Sequence, residues 1–202
     1  MSVTSKRRVG VAVVGLGGAV ASTAAAGVEI LRRGVNRMDG LPLANVSVPG
    51  LPAYDELVFG GWDLNGQSLA DAAAEHRVLN DNQMRETEPG LAKVVPWPAV
   101  ASTEFCRRIT GANARPVDGH RAAIEAIVDD ISRFKAANDL DSVVMVNLAS
   151  TERTPADSPA LRTTDAFERA LDANDDGIGP AMLYARAAIE AGVPYGNFTP
   201  SV

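Results

Sequence analysis

The stretch VGVAVVGLGGAVASTAAAGVEILRRG, Val9 to Gly34, decides the fold of this chain. It follows a basic triplet at residues 6–8 and has no charged residue before Glu29, so its pattern resembles an export signal, a membrane span, or the first strand, turn and helix of an α/β domain. Three glycines between positions 15 and 18 stand where the helix of a signal or a span would have to continue, and each costs about 1 kcal/mol of helix propensity relative to alanine. We therefore expect a strand, a turn and a helix, with no targeting segment and no membrane partner.

Each part of the stretch has the residue types that such a unit needs. The valines of residues 9–14 are β-branched, as a buried parallel strand requires. A turn at Gly15–Gly18 leads into a predicted helix from Ala19 to Arg33, which ends at Gly34. The backbone N–H groups of Gly17–Val20 are expected to have no partner within the helix, so the turn predicts a diphosphate site. The pattern G-x-G-G-A-V lacks the third glycine of the dinucleotide fingerprint, which leaves a ligand-free glycine turn as the alternative.

The composition limits the classes of partner. The 202 residues are enough for one domain with a sizeable core, and 46% hydrophobic residues argue against disorder. A formal net charge of -6 offers no basic face for a phosphate backbone, so nucleic acid is not expected as a partner. Cys106 is the only cysteine, which excludes an internal disulfide and is typical of a reducing, cytoplasmic location.

An acidic residue after the second strand is the next candidate. Residues 35–55 are rich in Pro, Gly and Asn and are predicted to be an irregular insertion. A short strand, Glu56–Phe59, then runs into Gly60–Asp63. In dinucleotide folds, an acid at this place accepts hydrogen bonds from the adenosine ribose, so Asp63 is the candidate. It lies 48 residues after Gly15 instead of about 20. The alternative is that Asp63 caps a helix that starts near Ser68.

The centre and the end of the chain alternate between loops and helices. Residues 86–117 contain four prolines and are predicted to be loops around one short strand near Lys93–Val95. Asp118 is predicted to cap a helix, and a last strand or loop occupies residues 193–200. A further short helix is expected at 165–171. The residues predicted to face the core are Ile124, Ile127, Ile131 and Phe134 on the helix after Asp118, and Met182, Ala185 and Ile189 on a helix that starts at Ile178.

No metal site is predicted. The chain has only two histidines, His76 and His120, without H-x-x-H or C-x-x-C spacing, and both are interpreted as surface residues. Carboxylate and water ligation stays open. The run Asp172–Gly177 lacks the alternating ligands and the later Glu of an EF-hand, so it is predicted to be an acidic turn.

A second polar loop follows the best buried strand after the first. The strand Asp141–Leu148 runs directly into Ala149, Ser150 and Thr151. Because ligands of open α/β sheets bind beyond the carboxyl ends of the strands, this loop should face the same crevice as the glycine turn. Its hydroxyls and amides could hold a ribose or a nicotinamide. The alternative is a simple turn followed by a surface ion pair of Glu152 with Arg153.

Four segments together, GLGGAVAST, FGGWDLNGQSLADA, VNLASTER and AGVPYGNFTPSV, resemble the NAD-binding half of the myo-inositol-1-phosphate synthase family in its bacterial form. The resemblance covers essentially the whole chain and implies an α/β, Rossmann-like, doubly wound parallel sheet. It also implies that residues 1–202 are the NAD-binding first part of a longer two-domain chain. Two departures from the eukaryotic pattern are the missing paired Asn of the glycine loop and Asn147–Leu148 before the Ala-Ser-Thr-Glu-Arg motif.

The resemblance assigns a set of cofactor-binding residues. The glycine loop would cradle the NAD diphosphate, Asp63 would hold the adenosine ribose, and the loop after the later strand would line the nicotinamide side. Metal is not implied, and the catalytic residues, lysines in the family, are expected beyond Val202. The cofactor-binding residues are thus Gly15, Leu16, Gly17, Gly18, Ala19, Val20, Asp63, Ala149, Ser150, Thr151 and Asn197.

The resemblance also implies an activity. In the family, NAD takes a hydride from C5 of glucose 6-phosphate, the keto sugar undergoes an internal aldol reaction, and the hydride returns, so the enzyme is an isomerase that makes inositol phosphate without net oxidation. It implies a sugar phosphate substrate, a cytoplasmic homo-oligomer, a tetramer in the family, and a chain that does not turn over by itself. The alternatives are a relative that cyclises fructose 6-phosphate, a dehydrogenase with net redox chemistry, and a non-catalytic nucleotide-binding module.

Overall fold

The structure, a computed structural model, describes residues 7–44, 46, 48–106, 111–153 and 157–199. Strands and helices alternate along these residues, with two additional 3₁₀ turns at Tyr54–Glu56 and Pro159–Leu161. Among the helices in these ranges, none combines the length and the apolarity that crossing a membrane requires. In chain order the elements are β1 Val9–Val14, α1 Ala19–Arg32, β2 Leu57–Asp63, α2 Leu69–His76, α3 Asp81–Leu91, β3 Trp97–Pro98, α4 Gly119–Ala137, β4 Ser142–Asn147, α5 Thr164–Asp172, α6 Pro180–Glu190 and β5 Tyr195–Asn197.

The five strands form one sheet in the order β3-β2-β1-β4-β5, and every pair is parallel. The first strand is central, with Val9 opposite Leu57 of β2 on one side and Ser142 of β4 on the other. The strand order reverses direction at β1, so β1 and β4 form the switch point beside which ligands bind in this class of fold. The predicted Rossmann-like α/β class is confirmed.

Helices cover both faces of the sheet because β1 buries side chains on both. Val13 packs with α1, α2 and α3 on one face, whereas Ala12 and Val14 pack with α4, α5 and α6 on the other. Alternate residues of a strand point to opposite faces, so the continuous apolar run of β1 serves two cores. The face Ile124, Ile127, Ile131 and Phe134 of α4 is buried as predicted.

A buried polar network ties β2 to α4. Asp130 is 3% exposed and accepts hydrogen bonds from the indole Nε1 of Trp62 at 2.7 Å and from Arg115 at 2.6 Å. Arg133 pairs with its other oxygen. A buried carboxylate is tolerated only when it is paired and hydrogen-bonded in this way. The network holds Trp62 in place directly before Asp63.

Residues 86–117 differ from the prediction of loops around one strand. The helix α3 runs to Leu91 and contains Pro89 in its last turn, and the strand of this region is Trp97–Pro98 instead of Lys93–Val95. A capping box starts this helix, since Asn80 and Gln83 bond reciprocally. Because proline has no backbone N–H, Pro89 leaves the Arg85 carbonyl without its usual partner within the helix.

Two local predictions about helices were wrong. On α6, the buried residues are Pro180, Leu183, Tyr184, Ala187 and Ala188. Of the predicted face, Met182 is partly buried against the core, but Ile189 is 72% exposed, because small alanines let the neighbouring face approach α4 closely. The N-terminus of α4 is not capped by the Asp118 side chain. The N–H of His120 donates instead to the Asn174 side chain at 2.7 Å. The turn at 172–177 thus caps a helix that lies 54 residues earlier in the chain.

Candidate dinucleotide site

A cleft of about 280 Å³ opens beyond the carboxyl ends of β1, β2 and β4. It lies at the switch point of the sheet, where the fold class places its ligands. Its lining residues are Val14, Gly15, Gly17, Gly18, Trp62, Asp63, Leu64, Asn65, Gln67, Glu75, His76, Ala99, Val100, Ala101, Cys106, Leu148, Ala149, Ser150, Glu152, Pro180 and Tyr184.

The floor of the cleft is the turn after β1. The N–H groups of Gly15 and Leu16 both donate to the Trp62 carbonyl, at 2.9 and 3.0 Å. Gly15 has φ +84°, and a Cβ there would lie 2.9 Å from the Cα of Ala149. Glycine is required because both the backbone conformation and the contact exclude a side chain. The turn therefore brings the loops after β1 and β4 into direct contact.

The acid after β2 binds the glycine turn. The N–H of Gly17 donates to Oδ2 of Asp63 at 2.8 Å, and a Cβ on Gly17 would lie 3.2 Å from that carboxyl group. Oδ1 accepts from the N–H of Asn65 at 2.9 Å. The alternative role, capping the helix after β2, is excluded because the Ser68 hydroxyl caps α2. Asp63 stands beside the turn with acceptor capacity left for a ribose hydroxyl.

Only part of the predicted row of N–H groups faces away from protein acceptors. Gly17 donates to Asp63, and Gly18 donates to the Gly15 carbonyl at 3.1 Å. The first N–H groups of α1, those of Ala19 and Val20, have no acceptor within the helix, and no hydrogen bond of the described residues uses them. The positive end of the α1 dipole and these two groups are what the turn offers an anion.

A histidine from α2 also binds the turn. Nε2 of His76 lies 2.8 Å from the Gly17 carbonyl oxygen. A carbonyl can only accept, so Nε2 carries the proton and donates. His76 ends α2, and Arg77 follows in the left-handed conformation with φ 54°. Sequence reasoning assigned His76 to the surface and missed this contact.

The Ala-Ser-Thr-Glu-Arg motif forms the opposite wall, and its charged residues bind other segments instead of forming the surface ion pair that was the alternative. Oε1 of Glu152 accepts from the N–H of Ala181 at the start of α6, at 3.0 Å. The Arg153 guanidinium lies 4.2 Å from the ring centre of Phe105 and donates to the Glu104 carbonyl at 3.1 Å. The backbone N–H of Arg153 donates to the Phe105 carbonyl at 3.1 Å. The motif therefore connects β4, α6 and the loop before residue 106.

Burial changes the acidity of groups in this wall. Desolvation raises the pKa of Glu152 to about 7, against the smaller effect of the Ala181 N–H, which lowers it. Burial, and then the nearby Glu152 charge, raise the pKa of the Cys106 thiol above its ordinary value. The buried Tyr184 hydroxyl accepts from the Val100 N–H at 2.9 Å, and burial raises its pKa as well. All three groups stay uncharged more readily than in water.

The structure places the predicted residues in three ways. Leu16 is fully buried beneath the turn, while the side chain of Val20 is 67% exposed. Thr151 is exposed and does not line the cleft, and the side chain of Asn197 at the end of β5 accepts from Thr199. Six of the predicted cofactor-binding residues line the cleft: Gly15, Gly17, Gly18, Asp63, Ala149 and Ser150.

The main residues that sequence reasoning missed come from elements it did not connect to the site. His76, Cys106 and Tyr184 lie on α2, on a loop and on α6, far apart in the chain. Trp62 was assigned no role of its own, although it stands next to Asp63. Its indole is completely buried against Trp97 and Tyr184, so an aromatic residue directly before the acid was the one available signal. Among the described residues, no group of three or more His, Cys, Asp or Glu is placed to hold a metal ion.

Residues 42–202 match the model of an NAD-binding domain described as Myo-inositol-1-phosphate synthase. Inositol-3-phosphate synthase 1 of Bacteroides thetaiotaomicron is 32% identical over 93% of this chain and 47% of its own length. Inositol-3-phosphate synthase isozyme 1 of Arabidopsis thaliana is 30% identical over 96% of this chain and 44% of its own length. The chain thus spans about half the length of these curated relatives.

The fold is shared with a solved structure. The crystal structure of an inositol-3-phosphate synthase from Caenorhabditis elegans superposes with a TM-score of 0.84, over 98% of this chain and 45% of that one, at 24% identity. At this identity the comparison concerns the fold alone. The matched family model begins after the glycine turn, so the roles of residues 15–20 depend on the geometry described above.

Proposed function

The chain belongs to the myo-inositol-1-phosphate synthase family, NAD is the cofactor of its matched domain, and we propose that the cleft beyond β1, β2 and β4 binds this NAD as part of an enzyme that makes inositol phosphate. The single observation that carries the proposal is the junction at the glycine turn. There Gly17 and Asp63 are joined at 2.8 Å, and the free N–H groups of α1 begin two residues later.

The residues present fit the cofactor. The turn has no Cβ at Gly15, Gly17 or Gly18, so a diphosphate can approach the N–H groups of Ala19 and Val20. Asp63 lies beside the turn, where its carboxylate would accept from an adenosine ribose hydroxyl. Ala149, Ser150 and Thr151, with Asn197 further along the carboxyl edge, are proposed for the nicotinamide side. Leu16, which is fully buried, is proposed to support the turn from below.

The proposed reaction is a redox-neutral cyclisation of glucose 6-phosphate to inositol phosphate, which classes the enzyme as an isomerase. When bound, NAD would supply reversible hydride transfer, which makes a neighbouring C–H acidic enough for carbon–carbon bond formation. The residues of this chain bind and orient the cofactor, and the partly apolar wall of Cys106 and Tyr184 keeps water away from its reactive end. We place the groups that act on the sugar in sequence outside residues 1–202.

Residues 1–202 are proposed to be the NAD-binding domain of a longer, two-domain chain, with 35–55 as an insertion between α1 and β2. A cytoplasmic homo-oligomer, a tetramer as the resemblance implies, is part of the same proposal. Size-exclusion chromatography with light scattering would measure the oligomeric state directly.

Calorimetric titration of the 202-residue chain with NAD tests the proposal. We expect binding by the unaltered chain and strongly weakened binding by Asp63→Ala. A carboxylate-to-amide change, Asp63→Asn, keeps the size and removes the charge, so it separates lost hydrogen bonding to ribose from lost shape. If the unaltered chain takes up no NAD, the proposed function is wrong.

Product analysis separates the activities. In a full-length relative that carries this domain, the cyclase forms inositol phosphate from glucose 6-phosphate without net formation of NADH. A dehydrogenase accumulates NADH instead. Inositol phosphate made by the isolated 202-residue chain would contradict the placement of the sugar-acting groups outside it.

A further inference from the structure

His76 is a polar side chain of the cleft that neither the diphosphate turn nor the wall after β4 accounts for. Its Nε2 donates to the Gly17 carbonyl at 2.8 Å, and its ring lines the cleft. The ring is exposed, so this hydrogen bond is not a means of satisfying a buried polar group. His76 and Gly17 are 59 positions apart in the sequence, so this hydrogen bond joins the end of α2 to the glycine turn.

Together with Asp63, this histidine fixes both peptide groups next to Gly17. The peptide before Gly17 is held through its N–H, which donates to Asp63, and the peptide after it is held through its carbonyl, which accepts from His76. The second of these peptides contains the Gly18 N–H, which donates to the Gly15 carbonyl at 3.1 Å. Gly17 itself has no side chain that would restrict its backbone, so the two outside groups supply that restriction.

The direction of the next N–H groups depends on that restriction. Ala19 and Val20 follow within three residues of Gly17 and begin α1. A turn held in one conformation presents their N–H groups to an anion without losing backbone entropy when the anion binds. Loss of the His76 contact would leave the Gly17–Gly18 peptide held only through the Gly18 N–H, which donates to the Gly15 carbonyl, while β1 and α1 stay in place.

We propose that His76 is a positioning residue for the dinucleotide, which acts through Gly17 on the affinity of the cleft for the adenosine diphosphate portion of the cofactor. This inference rests on the proposed function. It predicts that the side chain acts as a hydrogen-bond donor to the turn. It also predicts that the affinity for the nicotinamide end of the ligand does not depend on His76.

The test compares the unaltered chain and two variants by calorimetry with NAD, ADP-ribose and nicotinamide mononucleotide. His76→Leu removes the donor, and we expect about three- to tenfold weaker binding of NAD and of ADP-ribose, the range that one net hydrogen bond gives. His76→Gln places an amide N–H₂ near the position of Nε2 and should restore most of the affinity. Binding of nicotinamide mononucleotide should be the same in all three.

His120 supplies a matched control. It also lies in a terminal turn of a helix, and its Nε2 donates to the distant backbone carbonyl of Asp175 at 3.0 Å. It does not line the cleft. His120→Leu should leave NAD affinity unchanged. Thermal unfolding of each variant shows whether the fold is kept, and the ratio of the Gln to the Leu affinity does not depend on a small common loss of stability.

The outcomes are distinct. No NAD binding by the unaltered chain defeats the proposed function together with this inference. NAD binding that is equal in the unaltered chain and in His76→Leu overturns only the inference, as does a Gln variant that is as weak as the Leu variant. Weaker binding in His76→Leu with rescue by Gln supports it.

Discussion

Replacing Glu152 by glutamine should remove a pH-dependent part of the free energy of unfolding. Burial raises the pKa of this carboxyl group from its ordinary value of 4.5 to about 7. The folded state therefore favours the protonated form, whereas the unfolded chain ionises near the ordinary value. The stabilising contribution is fully present below pH 4.5 and is lost as the pH rises through about 7.

The magnitude follows from the separation of the two pKa values. At about 1.36 kcal/mol for each pKa unit, that separation corresponds to a ceiling of about 3.4 kcal/mol. Because Glu152 is only half-buried and solvent screens it, we expect about 1.5 kcal/mol. A difference of this size moves the midpoint of thermal unfolding by about 3–6 °C in a chain of this length.

Urea denaturation of the unaltered chain and of Glu152→Gln, each at about pH 5 and about pH 8, measures the effect. The amide mimics the protonated carboxyl group and does not titrate. Because pH 5 lies just above the ordinary pKa, about three-quarters of the contribution is present there, so the advantage of the unaltered chain over the variant should be about 1 kcal/mol larger at the lower pH. An advantage that is equal at both pH values, or larger at the higher one, would refute the assignment of a buried, proton-holding carboxyl group.

Glu168 provides a control, because its pKa is shifted in the opposite direction from that of Glu152. Its pKa is lowered by hydrogen bonds from Arg186 and Arg121, at 2.8 and 2.7 Å. Its contribution is present above the ordinary pKa and is lost only as the pH falls through the lowered value. Glu168→Gln should therefore weaken the fold by nearly the same amount at both pH values, since the lowered pKa lies below the window of the experiment.

Three further predictions concern the turn, the buried network and the thiol. Gly15→Ala forces φ +84° on a residue with a side chain and a 2.9 Å contact with Ala149; we expect a loss of about 1–3 kcal/mol in chemical denaturation and loss of NAD binding. Asp130→Ala leaves the buried Trp62 N–H unpaired and takes the carboxylate partner from the partly buried Arg115, and should cost about 3–5 kcal/mol; a loss below about 1 kcal/mol would mean that the network contributes no more than an exposed ion pair. Cys106, whose pKa is raised, should react with iodoacetamide more slowly than free cysteine near neutral pH and at an ordinary rate in urea, and equal rates would contradict its burial.

The parts of the fold that could be predicted are those in which local residue types leave few choices. The unit from Val9 to Arg32 was predictable because valines, glycines and alanines follow one another in the order that a strand, a tight turn and a close-packed helix need. Asp63 was predictable because the end of a parallel strand determines which edge it faces. In both cases the information lies in one continuous stretch of sequence.

The rest depends on contacts between distant segments. The helix around Pro89 has few apolar residues, and its stability comes from a capping box and from packing on α1, which a local reading does not show. The contact of His76 with Gly17 requires knowing that the eight-residue α2 ends beside the turn. The raised pKa of Glu152 requires knowing that α6 covers it, since the sequence shows only a charged pair.

The cap of α4 by Asn174 has a consequence for the order of events during synthesis. Residues 119–137 leave the ribosome well before position 174, so the first turn of this helix has an unsatisfied N–H at His120 until α5 and the turn after it have been made. The amino end of α4 should therefore stay frayed on a nascent chain and close only when the later segment docks. In this domain the first turn of α4 is completed by Asn174, a residue translated after β4.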